Sequence, residues 1–183
     1  MNRTALIVID LQNEYLPTGK LPLSGLDAAV ANAVAVIAYA RTTGMPVFHV
    51  RHVATDQASP IFAPDTPNVD IQPAVAPRDG EPVIVKHHVN AFRATDLQQK
   101  LGAAGVRELV IVGAMSHMCI DACARAAADM GYVVTVLHDA CATLDLAFGG
   151  VTVPAAQVHA AAMASLGFGY AAVRSTREWL GAA

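Results

Sequence analysis

The sequence is poor in charge. Of its 183 residues only 12 are Lys or Arg and 15 are Asp or Glu, and no Lys/Arg cluster occurs. Nucleic acids and anionic membranes are bound through dense positive charge, so we expect no nucleic-acid partner and no membrane partner. Apolar residues make up 54% of the chain. We therefore expect part of the lightly charged surface to be buried in a homodimer or homotetramer, with the helix after Pro154 as an interface.

Cysteine is also scarce. An odd number of three, without metal-like spacing, argues against a disulfide framework and favours a reducing cytoplasm. A signal peptide is not expected, because Asp10 interrupts the first apolar run at 5–9. The longest apolar stretch, 151–173, contains Pro, Gln and His and does not have the pattern of a membrane span. The three cysteines are Cys119, Cys123 and Cys141.

The apolar runs predict an α/β fold. The length suits one domain spanning 1–183. Short runs rich in β-branched residues alternate with helical patterns, and most runs are apolar throughout, as in a parallel sheet covered by helices on both faces. The predicted strands are 5–9, 46–51, 83–85, 109–112, 133–137 and 170–173. The predicted helices are 26–43, 120–130 and 154–166, together with one that opens at a capping box, 95–98, and runs to about residue 104. Between the second and third strands, 53–82 contains six prolines, and a loop of this length is expected to line or cover a site.

Three chemically active residues follow three of these strands. Asp10 follows the first strand, Lys86 the third, and Cys119 lies between the fourth strand and the next helix. Ligands of open α/β sheets bind beyond the carboxyl ends of the strands, so we expect the three side chains to meet there. At a helix start, free N–H groups and the helix dipole are expected to lower the pKa of Cys119 and favour the thiolate. The alternatives are a buried hydrophobic cysteine and a purely structural ion pair.

This set of residues predicts nucleophilic catalysis. Cys119 is the candidate nucleophile, and Asp10 the candidate base that accepts its proton. Lys86 is expected to keep Asp10 ionised and to stabilise the thiolate. The backbone N–H groups of Met115 and Cys119 are the candidate oxyanion donors.

Other site chemistries have less support. No G-x-G-x-x-G follows the first strand, so a dinucleotide cofactor is not expected. His49 and His52 are three residues apart on a predicted strand and should point to opposite faces, so we expect no metal. His117 is expected in a turn or in the substrate pocket rather than as the general base.

Four segments together resemble the isochorismatase-like cysteine hydrolases, a superfamily that includes nicotinamidases, N-carbamoylsarcosine amidohydrolase and streptothricin hydrolase. The resemblance covers nearly the whole chain in the same order. It implies a three-layer α/β/α sandwich around a six-stranded, mainly parallel sheet. The segments are Leu-Ile-Val-Ile-Asp-Leu-Gln-Asn at 6–13, the Lys-x-x-x-Asn-Ala-Phe stretch from 86, Gly-Ala-Met-Ser-His-Met-Cys at 113–119 and His-Asp-Ala-Cys-Ala at 138–142.

The resemblance also implies site roles. Cys119 matches the nucleophile, Asp10 the base and Lys86 the third member of the triad. The superfamily commonly has a cis peptide four residues before the cysteine, here Ala114–Met115, which would turn the Met115 N–H into the oxyanion hole. A thiol favours cleavage of a small-molecule amide, imide or lactam through a thioester. Two alternatives stay open: vinyl-ether hydrolysis with Asp10 as the acid, and a catalytically silent small-molecule or redox-sensing module.

The sequence departs from nicotinamidases at their metal site. Those enzymes have Asp-x-His, whereas 49–53 reads His-Val-Arg-His-Val, so neither nicotinamide nor a metal is expected. The chain most resembles the streptothricin-hydrolase-like branch. Beside the triad, the candidate substrate pocket comprises Gln12, Tyr15, Phe92 and His117 together with the 53–82 loop. Cys123 and Cys141 are expected to be structural.

Overall fold

The computed structural model describes residues 3–182. Its strands are β1 Thr4–Ile9, β2 Val47–His52, β3 Val83–Lys86, β4 Glu108–Ala114, β5 Val133–Ala142, β6 Leu146–Phe148, β7 Val151–Val153 and β8 Ala172–Arg174. Its helices are α1 Leu26–Thr43, α2 Leu97–Ala103, α3 Asp121–Asp129, α4 Ala155–Gly169 and α5 Thr176–Ala182. Six strands form one sheet in the order β3-β2-β1-β4-β5-β8, and all their pairings are parallel.

Helices cover both faces of this sheet. Successive side chains of β1 point to opposite faces of the sheet, so Leu6 and Val8 lie on one face and Ile7 and Ile9 lie on the other. The first pair packs with residues of α1, and the second pair belongs to the cluster that includes residues of α2, α3 and α4. The predicted α/β/α sandwich is therefore confirmed. Its physical basis is that strands that are apolar on both sides need a helical layer against each face.

Two regions differ from the sequence prediction. The strand expected at 133–137 continues to Ala142, and it is followed by the antiparallel hairpin of β6 and β7, for which the sequence predicted no strands. Helix α5 was not predicted. Its first residue, Thr176, donates both its N–H and its hydroxyl to Asp139 Oδ1, each at 2.7 Å. The residue that caps this helix, Asp139, lies on β5 and is distant in sequence, so no local sequence pattern predicts the helix.

The 53–82 connection contains only two short 3₁₀ turns, Pro67–Val69 and Pro73–Val75. Tertiary contacts hold it against the end of the sheet: the backbone of Asn13 donates to Asp70 O at 2.9 Å, and that of Gln72 donates to Leu11 O at 2.9 Å. Within residues 3–182, none of the helices has the length and apolarity that a membrane crossing needs.

Candidate active site

Asp10 is the first residue beyond β1, and its side chain is completely buried. Its φ of +50° lies in the left-handed region, which residues other than glycine rarely adopt. The N–H of Asp10 donates to Val50 O of the neighbouring strand at 2.9 Å. Residues in such conformations persist where the surroundings hold them, and they concentrate at functional sites.

Lys86 is the last residue of β3, two strands away from β1. Its buried ammonium spans that gap: Nζ lies 2.8 Å from Asp10 Oδ2 and 3.3 Å from Cys119 Sγ. The structure therefore brings together the three side chains that the sequence placed at the carboxyl ends of different strands. Their catalytic roles stay predictions.

Cys119 lies in a π-helical turn, Ser116–Ile120, between β4 and α3. The sequence predicted an ordinary helix start here, but the N–H of Ile120 donates to Met115 O five residues earlier at 3.2 Å. Such π-turns are frequent at functional sites. The preceding peptide bond, Ala114–Met115, is cis, where the resemblance places it.

Ser116 anchors this turn from inside the protein. Its Oγ lies 2.7 Å from Nδ1 of His159 on α4 and donates to Ala142 O of β5 at 3.3 Å. Because Ser116 is completely buried, these contacts fix the segment that carries Cys119 against two other elements of the fold.

Gly113 lets β4 approach the end of β1 just before Asp10. Its φ is +129°, and a Cβ atom added there would lie 1.9 Å from Ile9 O. Ile9 and Gly113 are register partners, and the pairing of β4 with β5 shifts between Ile111 and Gly113. Only glycine permits this approach, so Gly113 helps to set the distance between Asp10 and the turn that carries Cys119.

The pKa of the Cys119 thiol is shifted in the direction opposite to the expectation. Burial and the neighbouring Asp10 carboxylate raise the pKa of its thiol, and Lys86 offsets only part of this. The predicted lowering of this pKa is wrong, because only 6% of Cys119 is exposed and desolvation disfavours the thiolate more than nearby positive charge favours it. The resting side chain of Cys119 is therefore a thiol, which would have to give its proton to a base before it could act as the predicted nucleophile.

The other two triad members suit that requirement. Burial raises the pKa of Asp10, although Lys86 acts in the opposite direction. A carboxylate with a raised pKa is a stronger base for a thiol proton. Burial lowers the pKa of Lys86, but its interactions with Asp10 and Cys119, the charge of Asp10 foremost, outweigh burial and the net pKa is raised. Lys86 is thus held as an ammonium ion.

A cavity of about 310 Å³ opens over the thiol. Met115 and Cys119, the predicted oxyanion donors, both line it, and so does Tyr15. Its wall is mostly apolar, as is usual for small-molecule sites. The lining residues are Tyr15, Leu21, His52, Ala54, Ser59, Ile61, Phe62, Val89, Met115, Met118 and Cys119.

Three predicted pocket residues are absent from this lining. Gln12 binds backbone instead, donating to His52 O and Val69 O at 2.8 and 2.7 Å and accepting from the His52 N–H at 2.8 Å. Phe92 belongs to a hydrophobic core. His117 Nδ1 lies 2.7 Å from Thr143 Oγ1. A position close to the triad along the chain does not determine the direction of a side chain.

Two residues of the site were not predicted as pocket residues. His52 lines the cavity, and its Nδ1 lies 3.0 Å from Lys86 Nζ. Burial, followed by the charge of Lys86, lowers its pKa to about 4, so the ring is neutral at pH 7. Glu14 is buried and accepts the Phe62 N–H at 2.9 Å. Its position four residues after Asp10 was the only signal in the sequence.

The two histidines that were considered as metal ligands contact other side chains. His49 Nε2 lies 3.0 Å from Glu81 Oε2, whereas His52 contacts Lys86. Over the described range 3–182, no three His, Cys, Asp or Glu residues come together as a metal site would require.

Comparison with known proteins identifies the family. The model of the isochorismatase domain matches residues 4–178. An uncharacterized isochorismatase family protein of Bacillus subtilis is 48% identical over 97% of this chain and 98% of its own length. Streptothricin hydrolase of Streptomyces noursei is 35% identical over 89% of this chain and 59% of its own length. The crystal structure of an isochorismatase from Pseudomonas putida matches with a TM-score of 0.91 and 41% identity, covering 96% of this chain and 89% of that one. This chain therefore belongs to the isochorismatase family of hydrolases.

Proposed function

We propose that this hydrolase cleaves a C–N bond of a small amide, imide or lactam through a thioester on Cys119. The observation that carries the proposal is the position of one ammonium group: Lys86 Nζ is 2.8 Å from the Asp10 carboxylate and 3.3 Å from the Cys119 sulfur. Cys119, which lines an apolar cavity, thus has a candidate base and a cation close to its sulfur, as nucleophilic catalysis requires. Similarity to streptothricin hydrolase agrees with this reaction class.

The proposed reaction begins with transfer of the Cys119 thiol proton to Asp10. The sulfur attacks the carbonyl carbon, and the N–H groups of Met115 and Cys119 hold the oxyanion that forms. When the C–N bond breaks, protonated Asp10 gives its proton to the leaving nitrogen. Water, deprotonated by Asp10, then attacks the thioester, and the departing sulfur regains a proton. Lys86 remains an ammonium ion and compensates the negative charge in turn on Asp10 and on the sulfur.

Two other functions make different predictions. In vinyl-ether hydrolysis Asp10 would act as the acid and the thiol would be incidental, so a Cys119→Ala variant would stay active. A redox-sensing module would show reversible oxidation of Cys119 and no turnover. The raised pKa of this thiol disfavours the second alternative, because oxidation-sensitive cysteines are low-pKa, exposed thiols.

The deciding experiment measures release of ammonia or amine from a panel of primary amides, cyclic imides, lactams and ureido compounds. We expect turnover of at least one class and loss of more than about 10³-fold in Cys119→Ala. Cys123→Ala is the matched control, since Cys123 is a completely buried core cysteine four residues further on, and it should keep activity. Full activity in Cys119→Ala would contradict the proposal.

We further propose that the protein is a cytoplasmic homodimer or homotetramer. All three cysteines are free thiols, which suits a reducing compartment. Phe168 on α4 is 96% exposed and Phe148 on the β6–β7 hairpin is 87% exposed, and aromatic residues are enriched at subunit interfaces relative to the rest of the surface. Light scattering coupled to size exclusion tests this proposal. A monomeric mass at micromolar concentration would contradict it.

A further inference from the structure

The cavity over Cys119 has an uncharged lining. None of its eleven lining residues is Asp, Glu, Lys or Arg. His52 is the one basic side chain among them, and it is neutral at pH 7. The two buried charges beside Cys119, Asp10 and Lys86, are already paired with each other at 2.8 Å. The part of an ionised substrate that enters this apolar cavity would lose its hydration without gaining a counter-charge, which is costly.

Phe62 forms an aromatic wall of this cavity. Its ring makes edge contacts with Tyr15, with centroids 5.5 Å apart, and with His52, with centroids 4.9 Å apart. Its own backbone is held on both sides: the carbonyl accepts from Ala54 N at 2.8 Å, and the N–H donates to Glu14 Oε2 at 2.9 Å. The φ of Phe62 is +53°, a left-handed conformation that these contacts maintain.

Glu14 connects this wall to the strand that carries the base. It lies in the 3₁₀ turn Asn13–Tyr15 shortly after β1, and only 1% of it is exposed. One carboxylate oxygen accepts the Phe62 N–H and the other accepts the Lys20 N–H at 3.1 Å. A buried carboxylate that binds two backbone donors fixes the two segments that carry them, here the stretch around Lys20 and the loop that contains Phe62. The wall is therefore positioned by a residue only four places from Asp10.

We infer that the cavity selects uncharged amides whose apolar body packs against Phe62, and that Glu14 is the positioning residue for that wall. This inference rests on the proposed function. At about 30 Å³ per water molecule, a cavity of about 310 Å³ accommodates a substrate of about ten non-hydrogen atoms. Simple aromatic carboxamides such as benzamide have this size and character.

The charge requirement is tested by binding, without turnover. Calorimetry on the Cys119→Ala variant compares 4-nitrobenzamide with 4-carboxybenzamide, which have nearly the same shape but differ in charge at pH 7. We expect the ionised compound to bind at least about tenfold more weakly. Equal affinity, or no binding of either compound at millimolar concentration, would overturn the inference. If the wild type hydrolyses no amide, the proposed function fails, but this binding comparison still decides the character of the cavity.

The wall is tested with benzamide and acetamide in the Phe62→Leu variant. We expect the ratio of kcat/KM for benzamide to that for acetamide to fall about tenfold, because only benzamide has a ring that packs against Phe62. For Glu14→Gln we expect a raised KM for benzamide with little change in kcat, because the wall shifts while the triad stays in place. An equal fall for both amides in Phe62→Leu would overturn the role of Phe62. An equal fall of kcat for both amides in Glu14→Gln, with KM unchanged, would overturn the role of Glu14.

Discussion

Lys86 Nζ lies 2.8 Å from Asp10 Oδ2, and both side chains are completely buried. Removing two ions from water costs several kcal/mol for each, and their attraction does not reliably recover that cost. The pair is therefore weak evidence for stability. Its position beside the sulfur of Cys119 gives it a chemical explanation, because the same ammonium can compensate negative charge on either partner.

Lys86→Met is expected to move the acid limb of the pH–rate profile to higher pH. The charge of Lys86 lowers the pKa of Asp10 against the effect of burial, so its removal raises that pKa further and the carboxylate is protonated at a higher pH. Activity at pH 7 should fall by about 100-fold or more, since the compensating charge is lost. The measurement is kcat/KM from pH 4 to 9. Lys100→Met, at an exposed lysine on α2, is the control; an unmoved acid limb in Lys86→Met would contradict the coupling.

Asp10→Asn is expected to prevent formation of the acyl-enzyme. The buried thiol has a raised pKa, so without a carboxylate base it does not ionise at neutral pH. Intact-protein mass spectrometry after rapid mixing with substrate measures the acyl adduct. Asp129→Asn, at the exposed end of α3, should form the adduct as wild type does. A normal mass shift in Asp10→Asn would place the base elsewhere.

Gly113→Ala is expected to lower both stability and activity. The added methyl would lie 1.9 Å from Ile9 O at a φ of +129°, so β1 and β4 must separate next to Asp10. We expect a loss of about 1–3 kcal/mol in the free energy of unfolding. Gly102→Ala is the matched control: it is helical, with nothing within 4 Å of the added atom, and should gain about 0.5–1 kcal/mol. Denaturant titration compares the two, and equal stability would refute the clash.

Glu81→Gln is expected to change the acid stability of the protein. Two hydrogen bonds from Arg41, both 2.8 Å, lower the pKa of Glu81 to about 2 from its usual 4.5. A lowered carboxyl pKa contributes stability that is full above pH 4.5 and is lost as pH falls through about 2. Wild type should therefore lose its advantage over Glu81→Gln across this window. Melting temperatures at pH 6, 4.5 and 2.5 measure it, with Glu108→Gln, at an exposed residue, as the control.

Local sequence patterns predicted much of the fold. The first predicted helix, 26–43, has the same bounds in the structure, because it is a long Ala- and Val-rich segment that ends at Gly44. The strands that carry Asp10 and Lys86 were placed to within a residue, since buried parallel strands are short apolar runs. Their meeting with Cys119 followed from topology, because the carboxyl ends of parallel strands share one edge.

The amino-acid order alone thus determined the layers, the strand ends and the three side chains that come together. Only the tertiary structure decided the π-turn under Cys119, the raised pKa of its thiol and the inward position of Gln12. It also brought His52, Phe62 and Glu14 to the site. Burial, desolvation and contacts between distant segments set these properties, and none of them is encoded in a short stretch of sequence.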